Sequence, residues 1–288
     1  MTRWWPFAFL ILLQACAQQP YYGILEHINT FPNQLSEVSG MVQLQPNSVW
    51  VIEDNGNKDY LYKVGTNGRP IKKLKVKNAK NNDWEDLTKD QRGNVYIGDF
   101  GNNDNDRKDL VIYKVPNPEV EPGAKIEAEK IYFRYPQQTK FPPKKEEQFF
   151  DAEGFVHWNN HLYIFTKDRS RPYQGRTKVY RVPDEKGNYE ATFISDIYLC
   201  NKQNHCSVTG AAISPDGNTL ALIGYGYLYT TTNFNLDSIS KSTFKTTYLK
   251  HETQIESICF KDDRTVLIAD EQSKTKGRNL YKYHLNNP

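Results

Sequence analysis

The 288-residue chain carries 37 Lys and Arg against 34 Asp and Glu, a formal net charge of +3. The basic residues are scattered among acids, so the sequence has no nucleic-acid footprint. The 19 Tyr and 14 Phe sit mostly in short β-type runs. Long apolar runs at helical period are missing, which points to one large all-β domain.

The N-terminus reads Met1-Thr2-Arg3, then Trp4-Trp5-Pro6, then the apolar run Phe7 to Leu13. One positive charge before a short apolar core is an export signal. The run is far short of the roughly 20 residues that span a bilayer. It ends in Leu13-Gln14-Ala15-Cys16, which resembles a bacterial lipobox. Residues 1–15 are therefore expected to be a signal peptide, and Cys16 the site of lipidation. Two or three acyl chains are enough for stable attachment to a membrane. Ala17, not Asp, follows the cysteine, which implies the outer membrane of a Gram-negative cell. An ordinary signal with a coincidental cysteine is the alternative. Residues 16–21 form a linker, and 22–288 the globular domain.

The mature chain is built on a repeat. Five segments align: Ser36-Glu-Val-Ser-Gly40, Asn82-Asp-Trp-Glu-Asp86, Phe150-Asp-Ala-Glu-Gly154, Cys206-Ser-Val-Thr-Gly210 and Thr253-Gln-Ile-Glu-Ser257. Their key positions, Ser39, Glu85, Glu153, Thr209 and Glu256, lie between 46 and 68 residues apart. Each opens a strand that a polar turn, such as Pro215-Asp-Gly-Asn218, returns into a second apolar strand. The second strands are predicted at 49–52, 95–98, 162–165, 220–223 and 266–269. Third strands fit 60–64, 110–115, 178–182, 227–231 and 280–283. Fourth strands fit 71–76, 131–135, 193–199 and 244–249.

Four antiparallel strands per repeat make one blade of a single β-propeller. The last repeat stops after its third strand, and Tyr22–Asn29 supplies the missing one, closing the ring and removing open edges. Five blades are expected, or six if Pro116–Gln148 hides an extra half-blade. The Lys-rich segment 72–80 reads as a solvated outer strand and loop rather than a polyanion patch. Trp84 and Phe155 read as packing residues, and Gly40, Gly154 and Gly210 as points of close approach near the axis.

Cys200 and Cys206 bracket a short polar loop. In an oxidising compartment they are expected to form a disulfide worth about 2 kcal/mol. A metal site with His205 is the rival, but no CxxC spacing supports it. Cys259 lies in an apolar strand as a buried thiol. The other histidines, among them His157, His161, His251 and His284, fall at positions that do not repeat.

In a blade the first strand is innermost, so its start and the end of the second strand share one face of the disc. First strands start with Glu37, Asp83, Glu85, Asp151, Glu153 and Glu256. Second strands end with Glu53, Asp54, Asn55, Asp99, Asn102, Asn103, Lys167, Arg169, Asp270 and Glu271, with Arg107 close behind. So many carboxylates at one channel mouth repel unless a cation, an Arg or Lys, or retained protons compensate. With oxygen ligands and no His or Cys, the expected ion is Ca²⁺, held by Asp83, Glu85, Asp151, Glu153, Glu256 and Asp99. For each of these acids the competing role is an inter-blade clasp that accepts backbone N–H groups.

Asn82-Asp-Trp-Glu-Asp-Leu87, Gly98-Asp-Phe-Gly-Asn-Asn103 with Arg107, Asp151-Ala-Glu-Gly154, Phe165-Thr-Lys167 and Val208-Thr-Gly210 with Ser214-Pro-Asp-Gly217 resemble exported propeller proteins of Bacteroidetes-type bacteria, themselves similar to the SdiA-regulated and phytase-like propeller families. The resemblance implies a propeller with carboxylates around a channel that holds calcium. Ser39 and Thr209 depart from it, lacking the Glu of the other repeats. Two functions follow. One is a non-enzymatic binding or scaffold lipoprotein, taking an anionic small molecule or a protein at the disc face. The other is a calcium-dependent phosphoester or carboxylic ester hydrolase. There Glu85 or Glu153 is the base, and Arg107, Lys167, Arg169 and Asn103 hold an anionic group. No Gly-x-Ser-x-Gly, HExxH or P-loop is present.

Overall fold

Each repeat folds into its own antiparallel sheet, and the five sheets are the five blades of a β-propeller. The computed structural model describes residues 21–285, apart from Thr275 and the side chain of Asn204. Residues 1–15, expected to be a signal peptide, and Cys16 lie outside the described residues. Blade 1 comprises Val38–Val42, Ser48–Glu53, Tyr60–Gly65 and Pro70–Val76. Blade 2 comprises Trp84–Lys89, Val95–Asp99, Val111–Val115 and Glu129–Arg134. Blade 3 uses Asp151–Trp158, His161–Lys167, Arg176–Pro183 and Thr192–Tyr198, and blade 4 uses Gly210–Ile213, Thr219–Gly224, Tyr227–Thr232 and Lys245–Tyr248.

Blade 5 is completed from the far end of the domain. Ile255–Asp262, Thr265–Asp270 and Asn279–His284 are joined by Glu26–Thr30, antiparallel to the last of them, with Thr30 opposite Asn279 and Glu26 opposite Lys282. The closing strand starts four residues later than the apolar pattern suggested, because Tyr22–Leu25 forms a turn held by Ile24 N–H on Leu249 O.

The segment 116–148 is not a sixth half-blade. Its residues Lys125–Ile126 add a short parallel strand to the outer edge of blade 1. It then supplies the fourth strand of blade 2, whose own edge is covered in parallel by Gly187–Glu190 of blade 3. Both additions hide edges that would otherwise be free to pair with another chain.

The inner strands are buried on both faces, so they read as nearly continuous apolar runs. Five hydrophobic clusters fill the five interfaces between blades. Trp84 sits in the core between blades 1 and 2, and Phe155 in that between blades 2 and 3; both are fully buried. Cys200 and Cys206 form a disulfide, and Cys259 is a free, buried thiol between blades 5 and 1.

Near the axis the inner strands approach backbone to backbone. A Cβ on Gly40 would stand 2.6 Å from Leu87 N and 2.7 Å from Asp86 C in the next blade. Gly40→Ala must therefore push two blades apart. Its expected cost is about 2–3 kcal/mol, within the usual range for overpacking, read as a lower urea midpoint with an unchanged slope.

Candidate functional site

The repeat's key residue is placed by a backbone irregularity. In four blades the register between first and second strands slips at it: between Val38 and Gly40, Trp84 and Asp86, Ala152 and Gly154, and Ile255 and Ser257. Ser39, Glu85, Glu153 and Glu256 are thus the extra residues of β-bulges, which re-aim a side chain out of the alternation of the strand.

The clasping role falls to hydroxyls. Ser39 Oγ donates to Glu85 O at 2.7 Å, from blade 1 to blade 2. Thr209 Oγ1 donates to Ile255 O at 2.6 Å, from blade 4 to blade 5. The two repeats without Glu at the key position are the ones that spend it on a bond to the next blade. Asp151 clasps as well: its Oδ1 accepts Asn102 N–H of blade 2 at 2.7 Å.

Two groups of three carboxylates gather at the mouth. The ligating oxygens of Asp54, Asp83 and Glu85 lie within 4.8 Å of one another, and so do those of Glu85, Asp151 and Glu153. The second group already has cations. Arg169 Nε donates to Asp151 at 2.5 Å and its Nη2 to Glu153 at 2.9 Å, while Lys167 Nζ donates to Glu153 at 2.8 Å. The first group has none: among the described residues no Lys, Arg or His is ion-paired with Asp54, Asp83 or Glu85. Asn55 Nδ2 orients Asp83 through a 2.9 Å bond to Oδ1. Gly101 lies directly under Glu85 and Asp83, and a Cβ there would overlap both carboxylates.

The other expected site residues stand apart from these groups. Asp99 is fully buried and works as a brace, accepting Asp83 N–H at 3.1 Å and Arg107 Nη2 at 2.9 Å. Arg107 also donates to Gly101 O at 2.7 Å, so it secures the loop under the carboxylates. Asn103 accepts a bond from Arg169. Glu256 is held by Tyr225 OH at 2.7 Å and lies against Glu271. Each of Arg107, Lys167 and Arg169 is paired with a carboxylate.

Burial and crowding raise the carboxyls. Burial first, then neighbouring acids, push Asp54 up to about 7 and Glu271 up to about 11. Burial raises Glu153 to about 8 despite Lys167 and Arg169. Asp99 rises to about 6 through burial, against the pull of Arg107. Asp83 and Glu85 shift the same way, with burial again the largest cause. Without a counter-ion, this end of the channel holds protons that a divalent cation would displace.

Sequence reasoning placed Asp54 and Glu271 on this face without naming them as ligands, and it missed Tyr225 and Asp86. Asp86 was legible as an oddity, because the equivalent positions carry Gly40, Gly154, Gly210 and Ser257. It is fully buried and accepts backbone N–H groups from Leu87, Phe155 and Ala211, which belong to blades 2, 3 and 4. Blades 2 and 4 are not adjacent, so this carboxyl reaches across the axis and separates the acidic mouth from the far end. There the inner strands end around a cavity of about 980 Å³ bordered by Gln43, Lys89, Trp158 and Phe260.

No protein-family profile matches the sequence. No curated protein matches it either. Among solved structures the chain is similar to a PQQ-bound aldose sugar dehydrogenase from Streptomyces coelicolor, with 10% identity over 91% of this chain and 98% of that one, and a TM-score of 0.52. It is also similar to a gluconolactonase from Xanthomonas campestris, with 10% identity, 93% and 99% coverage and a TM-score of 0.46. A Bacteroides thetaiotaomicron protein of unknown function matches with 8% identity, 91% and 74% coverage and a TM-score of 0.47. The first of these likenesses shows the fold alone.

Proposed function

We propose that the chain is an exported envelope protein, lipid-anchored through Cys16 in the outer membrane, whose propeller binds calcium at its acidic mouth and presents that end to a ligand or a partner protein. The observation that supports the cation is the unpaired trio Asp54, Asp83 and Glu85 over Gly101. The donor set fits: it is all oxygen, with three negative charges, which suits a hard ion such as Ca²⁺ better than Zn²⁺. The same charge makes an anionic ligand depend on the ion, because Arg107, Lys167 and Arg169 are already committed to carboxylates. Export and anchoring rest on the apolar run 7–13 and on Leu13-Gln14-Ala15-Cys16.

Calorimetric titration of chelator-stripped protein with Ca²⁺ tests this reading. One tight site is expected, weakened about tenfold or more, equivalent to at least about 1.4 kcal/mol, by Asp83→Asn and by Glu85→Gln. Absence of calcium binding, or affinity unchanged in both variants, would refute it.

Hydrolysis of a phosphoester or carboxylic ester is a second reading, favoured by Glu153. That carboxyl shares an oxygen cluster with Glu85 and, at about 8, exchanges its proton near neutrality. Calcium, when bound, supplies the positive charge that polarises an ester oxygen. On this reading turnover of a generic phosphoester disappears with chelator and with Glu153→Gln. The binding reading expects no turnover in any condition.

A further inference from the structure

The propeller begins with a fixed turn on its outer rim, where blades 4 and 5 meet. Ile24 N–H donates to Leu249 O at 2.9 Å, and Leu25 N–H to Tyr22 O at 3.1 Å. Leu25 is buried in the core between these blades, and the Tyr22 ring stacks on His27 with centroids 4.7 Å apart. Gly23, at a φ of +64°, lies so close to blade 4 that a Cβ there would overlap the Leu249 carbonyl oxygen. The turn is therefore pressed against the sheet, and its two packed side chains fix which ones face out.

Those facing out are Tyr21, 71% exposed, and Ile24, 40% exposed. Beside them stands Tyr248, 44% exposed, at the end of the outermost strand of blade 4. Tyr21 is close enough to Tyr248 for the two phenols to interact electrostatically. The Tyr248 hydroxyl is bonded to Glu252 at 3.0 Å, which leaves the ring to the outside. Nine large hydrophobic side chains are exposed among the described residues, and the other six lie on blades 1 to 3 and the segments joining them. A single exposed apolar side chain needs no explanation, but a cluster on a rigid turn marks a contact surface. Tyrosine, with an apolar ring and a polar tip, is the side chain that suits the boundary between lipid and water.

Tyr21 lies five residues beyond Cys16. Whatever the conformation of that stretch, its reach is at most about 18 Å. A domain of this size has a radius of gyration of about 18 Å, so a tether this short keeps the rim of blades 4 and 5 at the membrane and the opposite rim away from it. We propose that Tyr21, Ile24 and Tyr248 rest on the surface of the bilayer that holds the acyl chains of Cys16, a docking that depends on the anchor proposed above. Asp54, Asp83 and Glu85 belong to blades 1 and 2, on the other side of the ring from this junction.

The test uses the full chain, expressed with its own export signal in a Gram-negative host and purified in detergent. It is placed in vesicles of phosphatidylethanolamine and phosphatidylglycerol that carry a nitroxide-labelled lipid. A fluorescent thiol label on Thr246→Cys reports the patch, because position 246 is exposed and lies two residues before Tyr248 on the same face of its strand. The same label on Tyr132→Cys of blade 2 is the control. Cys259 is buried and Cys200 is joined to Cys206, so none of them competes for the label. Quenching at 246 is expected to exceed that at 132 by about threefold or more. Tyr21→Asp together with Ile24→Asp should lower it to the level of the control, and Tyr21→Trp together with Ile24→Leu should preserve it. Mass spectrometry of the N-terminal peptide separates this docking from the anchor. An acylated chain quenched no more at 246 than at 132, whether the patch is then bare or covered by a second copy, overturns the docking alone. So does quenching that persists in the double Asp variant, folded by circular dichroism. A Cys16 without acyl chains overturns the anchor and the docking with it.

Discussion

In a chelating buffer the melting temperature of this propeller is expected to fall as pH rises from about 5 to 8, and calcium is expected to offset part of that fall. The sign follows from the mouth carboxyls. Asp99 titrates at about 6, Asp54 at about 7, Glu153 at about 8 and Glu271 at about 11, all above an unfolded carboxyl, which titrates at about 4. Between those values the folded chain keeps protons that the unfolded chain has lost. Stability tied to these groups is complete below pH of about 4 and is lost as pH climbs through their folded values. On the proposed reading calcium would replace the protons at Asp54, Asp83 and Glu85, so its stabilisation would grow with pH. At a free concentration of one hundred times Kd the linkage is worth about 2.7 kcal/mol. For a domain of this size that is about 5–10 °C. Scanning calorimetry at several pH values, with calcium and with chelator, reads both slopes. A melting temperature flat with pH in chelator and unmoved by calcium would remove the cation and the raised carboxyls together.

Asp86→Ala is expected to be among the most damaging single substitutions in the chain, lowering stability by about 3–6 kcal/mol. The side chain is fully buried and accepts the N–H groups of Leu87, Phe155 and Ala211. Truncation strands three donors at the axis, each costing about 1–3 kcal/mol, and leaves a void between inner strands. Burial alone drives this carboxyl strongly upward, and the three donors oppose it. Asp86→Asn keeps one acceptor oxygen and should cost about half as much. Urea denaturation of both variants gives the comparison. An alanine variant within about 1 kcal/mol of wild type would mean that the blades hold the axis without it.

The clasps and the mouth explain why the repeats differ at one position. A ring of five glutamates would crowd five charges at the axis. Blades 1 and 4 instead place Ser39 and Thr209 there, and both hydroxyls bond the next blade's backbone. The three remaining glutamates differ in their partners: Glu153 is ion-paired, Glu256 is held by Tyr225, and Glu85 has no ion pair among the described residues. Glu85 is the one that belongs to both oxygen clusters.

Five-fold strand repetition and closure by the N-terminal segment were legible from sequence alone, because both depend on local patterns. Short apolar runs, polar turns and a repeat one strand short can be read without knowing what touches what. The face of the site was legible for the same reason, since strand direction alone puts strand starts and second-strand ends together. Tertiary structure decided the rest. Residues 116–148 became edge strands because partners on blades 1 and 2 were available to pair with them. Asp54, Asp83 and Glu85 are set apart from the other acids because bulges turn the key residues and because Arg107, Lys167 and Arg169 claim Asp99, Glu153 and Asp151. Bulges and ion pairs between blades are matters of distance between residues far apart in the chain, and no one-dimensional pattern encodes a distance of that kind.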